Sequence, residues 1–518
     1  MSLTKATFAM VEQGFANPLD YGAAGDGATN DTAALTAAIA VGLDVYIPKG
    51  FTFATVGNVT GFSNGQRIFG GGTIKKIGAG LDPIILLPNL IENVTFENIT
   101  FDGNKALYTA GQPVSAILGY VTRSITVKNC TFQNIVDCGI KLRDGAGLLV
   151  DGCTFKNIDT NGIEVRLYTN DPRTGSPYPV RPVNKDYRIV NSYFNKIDDG
   201  AGGAGEGCGV SIASNNGTYY TENIVVSNNT FEDVLRSVWT ENNTAGGEAR
   251  SMSILGNTIV GNVLGAATVE TKDGIGLINA IDVTVSGNTI RNVGNFAPVG
   301  GVCAAVQVSG SACRNIVITG NTFSDDTGST DRTDYGVYLN EGASVIVRNN
   351  IIEGMSQSAI GWTGTPTPLI ANGNVGAEDE YSWGSPVPFI FQRSNITAAS
   401  ATLAMYPCGQ SDYDEIPAPC TGAVVGLSII LSTPITAGTI TFKAYSNGIQ
   451  RTGLNITQAD FAGGLVATKK ISVTSASAVA VTAGQRLRVY IETDGSFAPT
   501  TLDAIAVFTF DTSVKFGS

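Results

Sequence analysis

Carboxylates without a single histidine define the chemistry open to this chain. The histidine count is zero, which removes the commonest general base and the commonest metal ligand together. Ser-His-Asp triads and Cys-His dyads are excluded with it. Two glutamates stand out. Glu164 lies in GIEV, with Arg166 two residues on, and Glu241 follows Trp239 in VWTE. A pair of carboxyl groups, one kept protonated and the other ionised, cleaves a glycosidic bond without imidazole. Glu206 and Asp199 follow as catalytic candidates, in the Gly-rich acidic stretch IDDGAGGAGEG at 197–207.

These residues gain meaning from a register. GIKL at 139–142, GIEV at 162–165, GVSI at 209–212 and SVWT at 237–240 align as copies of one short strand. With their apolar residues turned inward, the alternate positions face out. The outward column reads Lys141, Glu164, Ser211, Trp239, Gly276, Gln307, Tyr338 and Gly361. Two residues further along lie Arg143, Arg166, Ala213, Glu241, Ile278, Ser309 and Asn340. Planar aromatic faces and bidentate donors are what a sugar chain requires. Lys141, Arg143, Arg166, Trp239 and Tyr338 are therefore the expected substrate contacts. Asp198, Glu270 and Asp273 join them from insertions at 197–207 and 262–274 beside the same strands, and a third insertion, rich in Pro and Tyr, occupies 167–186. At two rungs of ~4.8 Å each, Glu164 and Glu241 are expected about 9–10 Å apart at the backbone. The competing explanation for any one of these carboxylates is a surface ion pair of little energetic weight. No cluster has the spacing of a metal site, and no cofactor is expected.

The elements that must position this strip are repeats. NCTFQNIVDCGIKL is followed by GCTFKNIDTNGIEV, 23 positions on, and weaker echoes continue down the chain. Their last aromatic or aliphatic residues fall at 101, 132, 155, 194, 231, 259, 290, 323, 352 and 375, at intervals of 23 to 39 residues. Periods in this range mean a solenoid. Each unit reads as a short alternating strand such as SITVKN, an Asn or Gly turn, an aromatic or Ile, and a second short strand. Strands of 3–5 residues gain stability only by stacking on the next copy. The pattern predicts a right-handed parallel β-helix, all-β in class, with like residues piled on like. Asn at the turns suits left-handed backbone and can ladder its side-chain amides. Cys130 and Cys153 occupy equivalent places and are expected as stacked free thiols; Cys408 and Cys420, elsewhere in the chain, can pair.

Length and charge agree with a solenoid that carries attachments. The chain has 518 residues, 43% of them apolar, with 63 glycines. Lys and Arg number 32 against 44 Asp and Glu, a formal charge of −12. Such a surface repels phosphate, so nucleic acid and anionic membrane are not expected partners. The first residues hold one Lys and no apolar block, so neither a secretory signal nor an anchor is expected there.

Ahead of the coils, DYGAAGDGATNDTAALTAAIAVGLDVYIPKG spans 20–50. Asn30 or Asp31 can cap a helix over 32–40, with Ala34, Leu35, Ala38 and Ile39 as its apolar stripe, and VYIPKG reads as the first strand. A helix there covers the open end of the solenoid, whose strand edges otherwise invite association. This stretch resembles the N-terminal signature of the pectate-lyase-like β-helix superfamily, common in bacteriophage tailspikes, and the resemblance extends over about 17–395. Residues 396–518 change character, with longer runs such as AVVGLSIIL, GTITFKAY and QRLRVYIE, and predict an antiparallel β-sandwich. The expected divisions are an N-terminal extension (1–16), the cap (17–50), the β-helix (51–395) and the sandwich (396–518). The resemblance implies a phage tail protein at the host cell surface. It implies a homotrimer held partly by the C-terminal domain, attached to a baseplate or adaptor through the N-terminus. It implies a polysaccharide depolymerase acting on capsule or O-antigen, without specifying the reaction. Hydrolysis by carboxylates is the leading expectation. Elimination from a uronic acid, with Lys141, Arg166 or a Tyr as base, and glycan binding without cleavage are the alternatives.

Overall fold

The computed structural model describes residues 14–109, 111–167, 184–197, 207–214, 220–241, 248–261, 273–294, 302–326, 333–340, 345–363, 369–375 and 387–396. In the tail it describes 402–407, 416–417, 422–431, 437–450, 456–457, 469–472, 479–481, 485–494, 496 and 502–511. The chain divides into two compact units. One is Met1–Leu369 with Gly373–Asp379, and the other is Ile370–Asn372 with Glu380–Ser518.

The first unit is a right-handed parallel β-helix. Three parallel sheets run its length, with 13, 12 and 10 strands among the described residues. One full coil takes a strand from each. Arg123–Lys128 lies in sheet 1, Thr131–Ile135 in sheet 2 and Cys138–Arg143 in sheet 3, and the next coil starts at Ala146. Sequence reading found two strands per repeat and took TFQNI for a turn with an aromatic. TFQNI is instead a strand in its own right, kinked at Asn134, whose φ is 53°.

Residues that repeat in sequence do stack in space. Phe101, Phe132, Phe155, Phe194 and Phe231 are register partners in successive strands of sheet 2. Their rings lie parallel at 5.1, 4.8, 4.7 and 4.7 Å between centroids, all within a buried core. Ile259, Ile290, Phe323 and Ile352 continue the column.

The Asn-rich turn between sheets 1 and 2 divides its labour between two adjacent positions. The first, held by Asn129, Gly152, Asn191, Asn228, Gly256, Gly287, Gly320, Asn349 and Gly373, adopts positive φ, where Asn and Gly fit. The second is buried and forms the amide ladder. Asn229, Asn257, Asn288, Asn321 and Asn350 each donate Nδ2 to the next Oδ1 at 2.9–3.0 Å, ending on Asn374. In the earlier coils Cys130, Cys153 and Ser192 hold this second position. The Ser192 backbone N–H donates to Asn229 Oδ1 at 2.9 Å, and its hydroxyl accepts from the Cys153 N–H at 3.1 Å. Cys130 and Cys153 are buried free thiols, so they fill ladder slots in coils that lack the amide.

The cap forms at the expected residues. The helix Thr32–Ala40 buries Leu35, Ala38 and Ile39. Asn30 Oδ1 accepts from the Thr32 N–H at 3.1 Å, while Asp31 turns back to accept from Ala24 and Gly25 N–H at 2.7 and 3.1 Å. The first strand was expected at VYIPKG. Two strands precede it, Phe15–Ala16 and Asp26–Asn30, and the second was illegible because DGATN lacks apolar alternation.

In the second unit the described strands form two antiparallel sheets. Gly422–Leu431, Ile440–Ser446 and Arg486–Thr493 lie where long Val/Ile/Thr runs were read as strands. Ile440–Ser446 and Arg486–Thr493 bury alternate residues. Val387–Ile396 pairs antiparallel with Leu502–Asp511 and so belongs to this unit, ahead of the 395/396 division drawn from sequence. Cys408 and Cys420 lie outside the described residues.

The ladder predicts a measurable stability loss. Asn288 Oδ1 accepts from both the backbone and the side chain of Asn257 at 2.9 Å. Asn288→Ala strands those buried donors at ~1–3 kcal/mol for each unsatisfied group. Urea unfolding of the variant is expected at a clearly lower midpoint; an unchanged midpoint refutes the ladder's structural weight.

Candidate active site on the third sheet

Sheet 3 carries the strip read from sequence, in the register read from sequence. Lys141 pairs with Glu164, Glu164 with Ser211, Ser211 with Trp239, and Trp239 with Gly276. Gln307, Tyr338 and Gly361 follow. Flanking residues such as Ile163 and Val165 are buried in the core, so strand alternation turns Glu164 to the outer side. It is not open to solvent there, at 2% exposed.

A charged cluster covers it. Arg166 Nε lies 3.4 Å from Glu164 Oε1. Lys141 Nζ lies 4.0 Å from Glu164 Oε2, which also accepts from Asn161 Nδ2 at 3.3 Å. Lys141 donates on its other side to both oxygens of Asp137, at 3.0 and 3.1 Å. Asp137 in turn accepts from the Ser115 hydroxyl at 2.5 Å. Burial works against the charge on Lys141, but Cys138, Glu164 and Asp137 outweigh it and raise its pKa above the ordinary value. Lys141 thus stays a cation bridging two carboxylates. Sequence reasoning missed Asp137, Asn161 and Ser115. The one available signal was Asp137 four residues before Lys141, a spacing that brings side chains together on a helix and says nothing of a strand.

Two further groups lie on the strip. Arg143 and Arg166 are register partners, and the Arg143 guanidinium sits 5.7 Å above the Tyr120 ring. Trp239 is 8% exposed. The Arg236 guanidinium stacks 4.5 Å from its ring centroid, and the ring lies against Gly276, where an added Cβ would fall 1.9 Å from it. Glycine at 276 is what lets the indole lie flat on the next rung. Between the two groups, the Ser211 hydroxyl is fully buried without a hydrogen-bond partner among the described residues. Tyr338 is 7% exposed, packs on Tyr335 at 5.0 Å and approaches the Thr363 hydroxyl at 3.4 Å.

The other expected residues fall elsewhere. Glu241 ends its strand as the register partner of Ala213, in the Arg166 column. It is therefore offset from Glu164 by two rungs and two residues, about 12 Å at the backbone rather than 9–10 Å. Asp198, Asp199, Glu206 and Glu270 lie outside the described residues. Asp273 was expected at the binding surface and is instead fully buried. It accepts from the Ala304 N–H at 2.9 Å, beneath the strip rather than on it. Among the described residues no cluster of His, Cys, Asp and Glu could hold a metal ion.

Burial pushes the Asp273 pKa up to about 7, against the opposing pull of the Ala304 N–H and Arg236; Asp334 adds to the rise. A carboxyl group whose pKa is raised on folding favours the folded state below its unfolded value. That contribution is lost as pH climbs from about 4 through about 7. Relative to Asp273→Asn, the wild-type protein is expected to lose thermal stability between pH 5 and pH 8. Parallel melting curves across that window contradict the assignment.

A family model described as a right handed beta helix region matches residues 85–245. No curated protein matches the chain. Among solved structures, the chain is similar to PfbA, a surface adhesin of Streptococcus pneumoniae, at 18% identity and a TM-score of 0.48, covering 70% of this chain and 91% of that one. It is similar to the Dettilon tailspike protein at 14% identity and a TM-score of 0.47, covering 97% and 96%. It is also similar to a tailspike protein mutant of E. coli bacteriophage HK620 at 13% identity and a TM-score of 0.46, covering 96% and 93%. Likeness at this level leaves the chemistry of the chain to be argued from its side chains.

Proposed function

We propose that this protein is a phage tailspike that binds and cleaves a bacterial surface polysaccharide, capsule or O-antigen, by hydrolysis between carboxyl groups on sheet 3. The observation that carries the reading is the Glu164 carboxylate, held between Lys141 and Arg166 on the outer side of the sheet, two rungs from Trp239. A sugar chain lying across the rungs meets the rim of Trp239, whose ring already packs on Arg236 and Gly276, and the cations as hydroxyl donors.

Glu164, flanked by the two cations, is the proposed base that activates water. The proton donor then comes from the far side of the glycosidic bond. Glu241 is the first choice, with Glu206 and Asp199 next and Asp198 beside them. Inverting hydrolysis places the two carboxyl groups ~6.5–9.5 Å apart, a span that two glutamate side chains can reach from backbones about 12 Å apart. Arg143 and Arg166, adjacent in register, serve as fork-shaped donors to the sugar. Tyr338 and Glu270 extend the surface for longer chains. In this reading the assembly is a homotrimer, carried on the virion through its N-terminus.

Elimination from a uronic acid is the second reading, favoured by the same run of cations. Lys141 is a poor base for it, because its neighbours hold it protonated.

Incubation with capsular or O-antigen polysaccharide, followed by analysis of product ends, tests the proposal. Saturated reducing ends are expected, with Glu164→Gln lowering turnover by ~10²-fold or more. Unsaturated, ultraviolet-absorbing ends overturn hydrolysis, and unchanged turnover in the variant overturns the role of Glu164.

A further inference from the structure

A polar hollow also opens on the solenoid near the strip: Asp159 on its wall stands two residues before Asn161, which bonds Glu164. The hollow lies along sheet 2, where the coil from Gly103 to Ser115 carries a short 3-10 turn at Lys105–Leu107. The cavity measures about 610 Å³ and is lined by Lys75, Asp102, Lys105, Asn134, Asn157 and Asp159 among others. That volume falls within the ~300–1,000 Å³ of small-molecule sites.

The hollow is built rather than left over. Lys105 Nζ reaches Asp159 Oδ1 at 2.5 Å, pinning the turn to a coil 54 residues on. Tyr108, also on the wall, donates its hydroxyl to the Gly78 carbonyl at 2.5 Å and ties the turn to the coil before. The floor is an outer amide row. Asn157 Nδ2 donates to Asn134 Oδ1 at 2.6 Å. Asp102 Oδ2 accepts from Gln133 Nε2 at 2.8 Å, and Asn134 Nδ2 lies 3.3 Å from Asp102 Oδ1. Asn134 and Asn157 hold positive φ, 53° and 58°, so both stand at the same kink of successive coils.

Several donors and acceptors on this wall remain open, the Asn104 side-chain amide and Asp159 Oδ2 among them. The Lys75 ammonium makes no hydrogen bond or ion pair with a described residue, and the Asn157 amide oxygen accepts from none. The charges of Lys75 and Lys105 cancel those of Asp102 and Asp159 (two against two). A balanced, polar wall with both open donors and open acceptors favours neither anion nor cation. It matches vicinal hydroxyls, each of which donates and accepts.

We propose that this hollow is a second carbohydrate site, taking a short neutral oligosaccharide and acting as a tether rather than a catalytic centre. It stands on sheet 2, whereas Glu164 and Trp239 stand on sheet 3, and it does not rest on hydrolysis at Glu164. A tether beside a cleaving strip keeps the protein on a polysaccharide between encounters by raising the local ligand concentration.

The test uses the full chain carrying Glu164→Gln, so that no probe is consumed, on a glycan array of neutral and acidic bacterial oligosaccharides. Asn134→Gly with Asn157→Gly removes both amides while keeping the positive φ that glycine accepts; a thermal melt establishes that the variant is folded. Lys75→Ala is the second, independent variant. At least tenfold weaker retention on neutral glycans in a folded variant, with Trp239→Ala leaving that retention in place, supports the site. Absence of any neutral glycan retention overturns it. So do retention on neutral glycans indifferent to all these changes, and binding confined to acidic glycans.

Discussion

Hydrogen bonding between successive coils is the constraint from which the rest of this structure follows. Each strand of the β-helix finds its backbone partners only in the coil before and the coil after. A parallel pair in register sets Cα under Cα at ~4.8 Å. Whatever residue occupies a position therefore lies against its counterpart one repeat away. Where the counterpart is like, the contact pays: phenyl rings stack from Phe101 to Phe231, and buried amides satisfy one another from Asn229 to Asn374. The near-repetition of the sequence is the record of this vertical selection.

The same constraint governs the outer face, where unlike residues are placed side by side with equal precision. Lys141, Glu164, Ser211 and Trp239 come from four coils spread over about a hundred residues, yet they form one line because their backbones pair. The line is costly. Glu164 is a buried carboxylate, and such a charge is tolerated only with partners, which Lys141, Arg166 and Asn161 supply. Replacing such a buried charge cluster with well-packed apolar residues is often neutral or stabilising, so the cluster is weak evidence for stability and is consistent with the proposed site. The rigid sheet beneath also explains why Gly276 matters. A flat indole across the next rung needs a rung without a side chain.

The repeating part of the molecule was legible because stacking forces sequence to echo itself. Phe132 over Phe155 and Lys141 beside Glu164 could be read by aligning copies alone. The cap helix was legible through Asn30 and its apolar stripe. The strand Asp26–Asn30 was not, since its pairing comes from a neighbour and not from its own composition. TFQNI was misread because the left-handed kink at Asn134 interrupts alternation inside a genuine strand. Asp137 was missed for a related reason. It precedes the aligned segment, and only the fold brings it under Lys141. Asp273 was placed outside because acidic residues in insertions are usually solvated, whereas here the carboxyl group serves the Ala304 N–H from within. The ladder position of Cys130 and Cys153 was seen as a stack, but its kinship with Ser192 and the later asparagines needed coordinates.

The most direct measurement of the central claim is a crystal structure of the Glu164→Gln protein soaked with a fragment of its polysaccharide. Sugar rings should lie across successive rungs of sheet 3, against the rim of Trp239, with a glycosidic oxygen or a water beside residue 164. A fragment seated away from this sheet, with Lys141 and Arg166 still closed over residue 164, would contradict the account.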